Sequence, residues 1–150
     1  MRLKAEGAFF QLSLLGYQYP DAEGEPYDAN WLRVRVDAAG PQGAWSAVDP
    51  CLLAEEAERL AEWLEELAEG RAIPALSFME PALLFRRVTT EHGPGLTVHF
   101  GSLVYPPWAE QNPTTRPDLS LTFPVNAVDL KGAARELKAQ LKKSPPRREM

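Results

Sequence analysis

Hydrophobic and polar residues alternate along much of this chain, and the alternation marks strands. Between Ala8 and Leu15, Phe10, Leu12 and Leu14 share one face while Gln11 and Ser13 take the other, the two-residue period of a β-strand. From Trp31 to Asp37 the period is cleaner still. Leu32, Val34 and Val36 oppose Arg33, Arg35 and Asp37, as expected of an antiparallel strand with one wet face. A Gly/Pro turn at 38–43 leads to a short third strand, Ala44–Val48, which carries Trp45. Further strands are expected at Leu76–Met79, Ala82–Thr89, Leu96–Gly101 and around Leu119, Leu121 and Phe123.

Two segments switch to the helical period. Leu53, Ala57, Leu60, Leu64 and Leu67 form one apolar stripe, widened by Ala61 and Ala68, and Gly70 suits the position just past a helix end. Trp63, one residue before Leu64, is expected at the edge of the core. Asp49-Pro50 reads as the boundary before this helix. A second helix spans roughly Ala127–Lys142, with Leu130, Ala134, Leu137 and Leu141 as its stripe and Asn126 as N-cap. Hairpin-spaced strands with two separate helices predict an α+β fold: a single domain over 1–143, built on a mainly antiparallel twisted sheet of about six to seven strands packed by two amphipathic helices. Residues 144–150, with Pro145-Pro146-Arg147-Arg148, are expected to form an extended tail that is either disordered or simply docked.

The connection from Gly16 to Trp31 is longer than a hairpin needs and holds three tyrosines, two prolines and four acids. Leu15 and Trp31 are expected to pack and hold its ends. A second irregular, aromatic-bearing connection lies between 103 and 116. Tyr17, Tyr19, Tyr27, Tyr105 and Trp108 all fall in these loops. They are either anchors for a partner or seals over the ends of the sheet.

Charge adds a direction. The chain has a net charge of −5, which disfavours nonspecific nucleic-acid binding. That average conceals a contrast. Residues 51–70 contain seven Glu and one Arg, while residues 131–150 contain seven Lys or Arg and two Glu. Glu55, Glu58, Glu62, Glu66 and Glu69 follow the helical spacing on the side away from the apolar stripe, with Arg59 as the cation available for stabilising pairs within the helix. The face is either simply solvated or presents negative charge to a basic protein partner. A single cysteine, Cys51, allows no internal disulfide and fits a reducing, cytoplasmic setting. No apolar run approaches the ~20 residues of a membrane span, so no membrane contact is expected.

No constellation for catalysis emerges. His92 sits in a Gly/Pro turn and His99 on the polar side of a strand, neither with a sequence-visible partner. One Cys and two His match no zinc spacing, and Gly93-Pro94-Gly95 is not a phosphate cradle, so neither metal nor cofactor is expected. Cys51 before an amphipathic helix reads as a small buried residue. Acids are plentiful, which leaves a small carboxylate hydrolase as an alternative alongside a general binding module.

Scattered motifs then carry a resemblance. Gly16-Tyr17-Gln18-Tyr19-Pro20, Tyr27-Asp28-Ala29-Asn30-Trp31-Leu32, Trp45 and Asp49-Pro50-Cys51-Leu52 look like the bacterial WapI-family immunity proteins. The similarity continues through the Trp63 helix, Phe78-Met79-Glu80-Pro81 and Pro145-Pro146-Arg147. It implies a non-enzymatic protein that binds and blocks the toxin domain of a polymorphic toxin, in that family a tRNA-cleaving nuclease. The expected partner is therefore a basic protein, with Glu55, Glu58, Glu62, Glu66, Glu69, Tyr19, Tyr27 and Trp108 as candidate contacts. The expected oligomeric state is a monomer or a weak homodimer.

Overall fold

The computed structural model describes residues 1–22, 26–101, 104–109, 112 and 114–147, with the side chains of 26 and 27 outside that set. Its elements run β1 (Arg2–Ala5), β2 (Ala8–Tyr17), α1 (Pro26–Asn30), β3 (Trp31–Gly40), β4 (Gly43–Leu53), α2 (Ala54–Ala68), β5 (Ala75–Leu76), β6 (Leu83–Thr90), β7 (Gly93–Phe100), β8 (Leu119–Pro124) and α3 (Ala127–Leu141). The fold is α+β, as the hydrophobic pattern predicts. The strands divide into two antiparallel four-stranded meanders, β1-β2-β3-β4 and β5-β6-β7-β8.

Aromatic rings join the two sheets. Phe10 of β2 lies 5.9 Å from Phe85 and 5.8 Å from Phe100, centroid to centroid, and Trp45 of β4 lies 5.1 Å from Phe100. Offset and edge-on pairs of this kind contribute about 0.5–1.5 kcal/mol each beyond the area they bury. Leu12, Leu32, Val34 and Val36 complete the inner face of the first sheet, and Leu96, Val98, Leu121 and Phe123 that of the second. Helices α2 and α3 pack on one another, and α3 also rests on β1 and β2. There the Leu14 backbone N–H donates to Gln140 Oε1 at 2.6 Å, satisfying a strand donor beyond the end of β1.

Several local expectations change. The Asp49-Pro50 boundary is not one: β4 runs through it to Leu53. β4 is an edge strand, and its register against β3 shifts between Leu32 and Val34, so the missing N–H of Pro50 is tolerated there. Leu15 does not pack but is 45% exposed. It is the extra residue of a β-bulge between Leu14 and Gly16, and Gly16 takes a φ of 126° that a side chain would resist. Trp63 is completely buried, not marginal, and its indole N–H donates to the Ile73 carbonyl at 2.9 Å. The strand expected over Leu76–Met79 is only Ala75–Leu76, and β1 is an unexpected addition. Asn126 caps α3 as anticipated, its side chain accepting from the Asp129 N–H at 2.9 Å.

Candidate functional site

The acidic stripe of α2 divides into two halves. Toward its C-terminus, Glu66 pairs with Arg59, Glu65 with Lys138 of α3, and Glu69 with Arg71, whose Nε lies 2.9 Å from Glu69 Oε2. Arg59 also lies 3.8 Å from Glu62. The charge contrast between the two segments of sequence is thus partly spent within the molecule, because α2 packs against α3. These pairs are exposed or only partly buried, and each contributes about 0–1 kcal/mol. Their consequence is cancellation: Glu65, Glu66 and Glu69 present less negative charge than their number implies.

The beginning of α2 differs. Glu56, at its third position, accepts from the Leu53 N–H at 2.9 Å and from the Met79 N–H at 2.7 Å, tying the 77–80 segment to the helix start. Glu55 is exposed beside it, and Glu80 is exposed next to Met79. On the adjoining strand Asp49 is only 8% exposed. Burial, and then the charge of Glu80, raises its carboxyl above the usual aspartate range. Among the described residues no cation pairs with Asp49, Glu55, Glu56 or Glu80. Sequence reasoning missed Asp49, Glu56 and Glu80 as a group, since only folding brings the 77–80 segment to α2.

The opening loop is locked by the C-terminal segment. Arg147 donates from Nε to the Ala29 carbonyl at 2.7 Å, from Nη1 to Pro20 at 2.8 Å and from Nη2 to Tyr19 at 2.9 Å. Its guanidinium lies 3.8 Å from the Tyr17 ring centroid, and its backbone N–H donates to Asn30 Oδ1 at 2.6 Å. Asn30 returns a bond to the Arg147 carbonyl at 2.8 Å, and the Tyr17 hydroxyl donates to the Pro145 carbonyl. Docking, one of the two options for the tail, describes residues 144–147; Arg148 lies outside the described residues. Tyr17 is therefore engaged internally, while Tyr19 remains 49% exposed. Tyr27 belongs to α1, with its side chain outside the described set.

Trp108 sits elsewhere. Its ring meets Trp45 edge-on at 6.2 Å, above the turn between β3 and β4, and is 49% exposed. Trp45 itself is buried and donates to the Val104 carbonyl at 3.0 Å. Tyr105 is buried too, its hydroxyl donating to the Pro117 carbonyl at 2.6 Å, so it seals the sheet. Tyr19 lies where β3 begins and Trp108 where it ends, separated by a ten-residue strand, roughly 30 Å. The candidate aromatics thus do not form one surface. Tyr19 shares its end of the first sheet with the start of α2, because Leu53 pairs with Trp31.

Titratable groups elsewhere are quiet. The Cys51 thiol is buried and pushed up to about 12 by burial and then by Asp49, which leaves it protonated and poorly nucleophilic. His99 is held below the usual histidine value by burial, then by Arg86, and its Nε2 has no hydrogen-bond partner among the described residues. Neither histidine lines these four pockets of the described residues; of the carboxylates that do, Glu65 and Glu69, and Asp129 and Glu136, share their pockets with Lys and Arg, and Asp37 is paired with Arg35. No helix among the described residues is long and apolar enough to cross a membrane.

Fold and surface together define a small α+β protein whose distinctive feature is an uneven distribution of charge over a closed core. The sequence model of the Immunity protein WapI-like family matches residues 1–145, and the chain belongs to that family. Membership suggests a toxin-neutralising role, and immunity families are generally non-enzymatic. Comparison with curated proteins gives no match.

Proposed function

We propose that this chain neutralises a toxin by binding a basic nuclease domain through the acidic side of α2, and that it performs no chemistry of its own. The observation that carries this reading is the uncompensated charge at the start of the helix. Asp49, Glu55, Glu56 and Glu80 have no cation partner among the described residues, whereas Glu65, Glu66 and Glu69 do. Glu58 and Glu62 extend the same face, and Tyr19 lies at the same end of the first sheet. Domains that bind RNA carry basic surfaces, and an acidic inhibitor is steered onto such a surface by long-range attraction. The proposed setting is the cytoplasm, with the protein acting as a monomer or weak homodimer.

The experiment uses a toxin domain encoded beside this chain's gene, mixed with the protein in stopped flow at increasing salt. Association should slow steeply as salt rises, and Glu55→Lys, Glu58→Lys and Glu62→Lys together should slow it further. Rates that ignore both salt and charge reversal would sink the acidic-face assignment. A second reading, a general protein-binding module, is favoured by Trp108, half-exposed and backed by buried Trp45. A Trp108→Ala change that abolishes binding while charge reversal at α2 leaves it intact would transfer the interface there.

A further inference from the structure

Asp49 is an unusual carboxylate for a folded protein. It is 8% exposed, yet among the described residues its side chain takes part in no hydrogen bond or ion pair, and its carboxylate keeps only a narrow contact with solvent. Buried polar groups are normally satisfied, and an unpaired buried charge is costly to hold. The charge closest in effect is another carboxylate, Glu80, so the environment adds repulsion to desolvation. Nothing in the fold of β4 demands an acid there: the cross-strand neighbour of Asp49 is Val34, a residue of the core.

We propose that Asp49 is the seat for one cationic side chain, a guanidinium or an ammonium, of the protein that this chain binds. The inference rests on the acidic-surface reading and names its central contact. An arriving cation would relieve both the unpaired burial of Asp49 and its repulsion with Glu80, so the gain on binding exceeds that of an exposed pair. Met79, next to Glu80 in the chain, is 59% exposed, and its backbone is held by the bond from its N–H to Glu56, so it offers an apolar surface for the alkyl stem of the incoming side chain. A metal ion is a poorer occupant, because among the described residues no three His, Cys, Asp or Glu side chains converge as ligands.

The test uses the full chain and a hexa-arginine peptide. The carboxyl carbon of Asp49 is followed by NMR through a pH titration, first alone and then saturated with peptide. The bound peptide should lower the Asp49 midpoint by about one pH unit or more, as an adjacent cation does. Asp49→Asn should weaken peptide binding by about tenfold or more, Glu80→Gln by less, and Glu91→Gln, in the turn between β6 and β7, should leave it unchanged. An Asp49 midpoint unmoved at saturation, or Asp49→Asn binding as tightly as the wild type, overturns the proposal; the wild-type titration decides even if the Asn variant folds poorly. The two readings fail separately. A toxin domain that does not associate while the peptide still shifts Asp49 removes the immunity reading and leaves the seat. A toxin domain that associates without moving Asp49 removes the seat and leaves the immunity reading.

Discussion

Replacing Arg147 with Ala should loosen the opening loop and destabilise the protein by about 2–3 kcal/mol. The magnitude follows from which partners lose water as well as the guanidinium. The Tyr19 carbonyl belongs to a residue 49% exposed, and water can replace Arg147 there and at neighbouring Pro20 at little net cost. Ala29 is only 7% exposed, so its carbonyl loses its charged donor without full replacement, a cost of about 1–3 kcal/mol. The stack over Tyr17 adds about 0.5–1 kcal/mol. Arg147→Lys should recover only part of the loss, because an ammonium keeps the charge but not the planar fork that reaches Ala29, Pro20 and Tyr19 together. Deleting residues 145–150 should cost more than Arg147→Ala, since Asn30 then loses its two bonds to the Arg147 backbone and Tyr17 its acceptor. Urea unfolding reads the effect as a lowered midpoint at constant slope, with hydrogen exchange expected to rise first around Asn30 and Gln18. An Arg147→Ala midpoint within about 0.5 kcal/mol of wild type would refute the reasoning, as would a Lys variant as stable as wild type.

Other outcomes follow from single side chains. Trp63→Ala should destabilise by about 3–5 kcal/mol, by calorimetry or urea midpoint, because it empties a fully buried site and strands the Ile73 carbonyl. Cys51 should resist thiol reagents in the native protein and react only on unfolding, since its thiol is buried and titrates near about 12. Asp49, whose folded carboxyl titrates above the ordinary range, binds protons in the folded state that the unfolded state has already released. Its contribution to stability should therefore fall as pH rises from the ordinary aspartate value through its folded one, then stay flat. Asp49→Asn should remove that slope in pH-dependent unfolding.

The sequence makes the strands legible wherever one face is dry. Leu32, Val34 and Val36 alternate with Arg33, Arg35 and Asp37, and all three apolar residues are buried. The caps read well for the same local reason: Asn126 satisfies a backbone donor three residues away. What fails is whatever depends on the partner strand or a distant segment. Leu15 looks like core until a bulge turns it outward, and Asp49-Pro50 looks like a break because a proline's missing N–H is harmless only on an edge. The acidic helix was visible, but not that Lys138, more than sixty residues after α2, comes to neutralise part of it. Asp49 was hidden most thoroughly. Its meaning lies in the absence of a side-chain partner among the described residues, which no spacing along the chain can express.

The most direct measurement compares two pairs of substitutions in the association rate with the adjacent-gene toxin domain at low salt. Glu55→Gln with Glu80→Gln removes charge that no cation compensates among the described residues; Glu65→Gln with Glu69→Gln removes the same amount of charge where Lys138 and Arg71 already balance it. The account predicts a rate about tenfold lower for the first pair and close to wild type for the second. Equal effects, or a larger effect for the second pair, would contradict it.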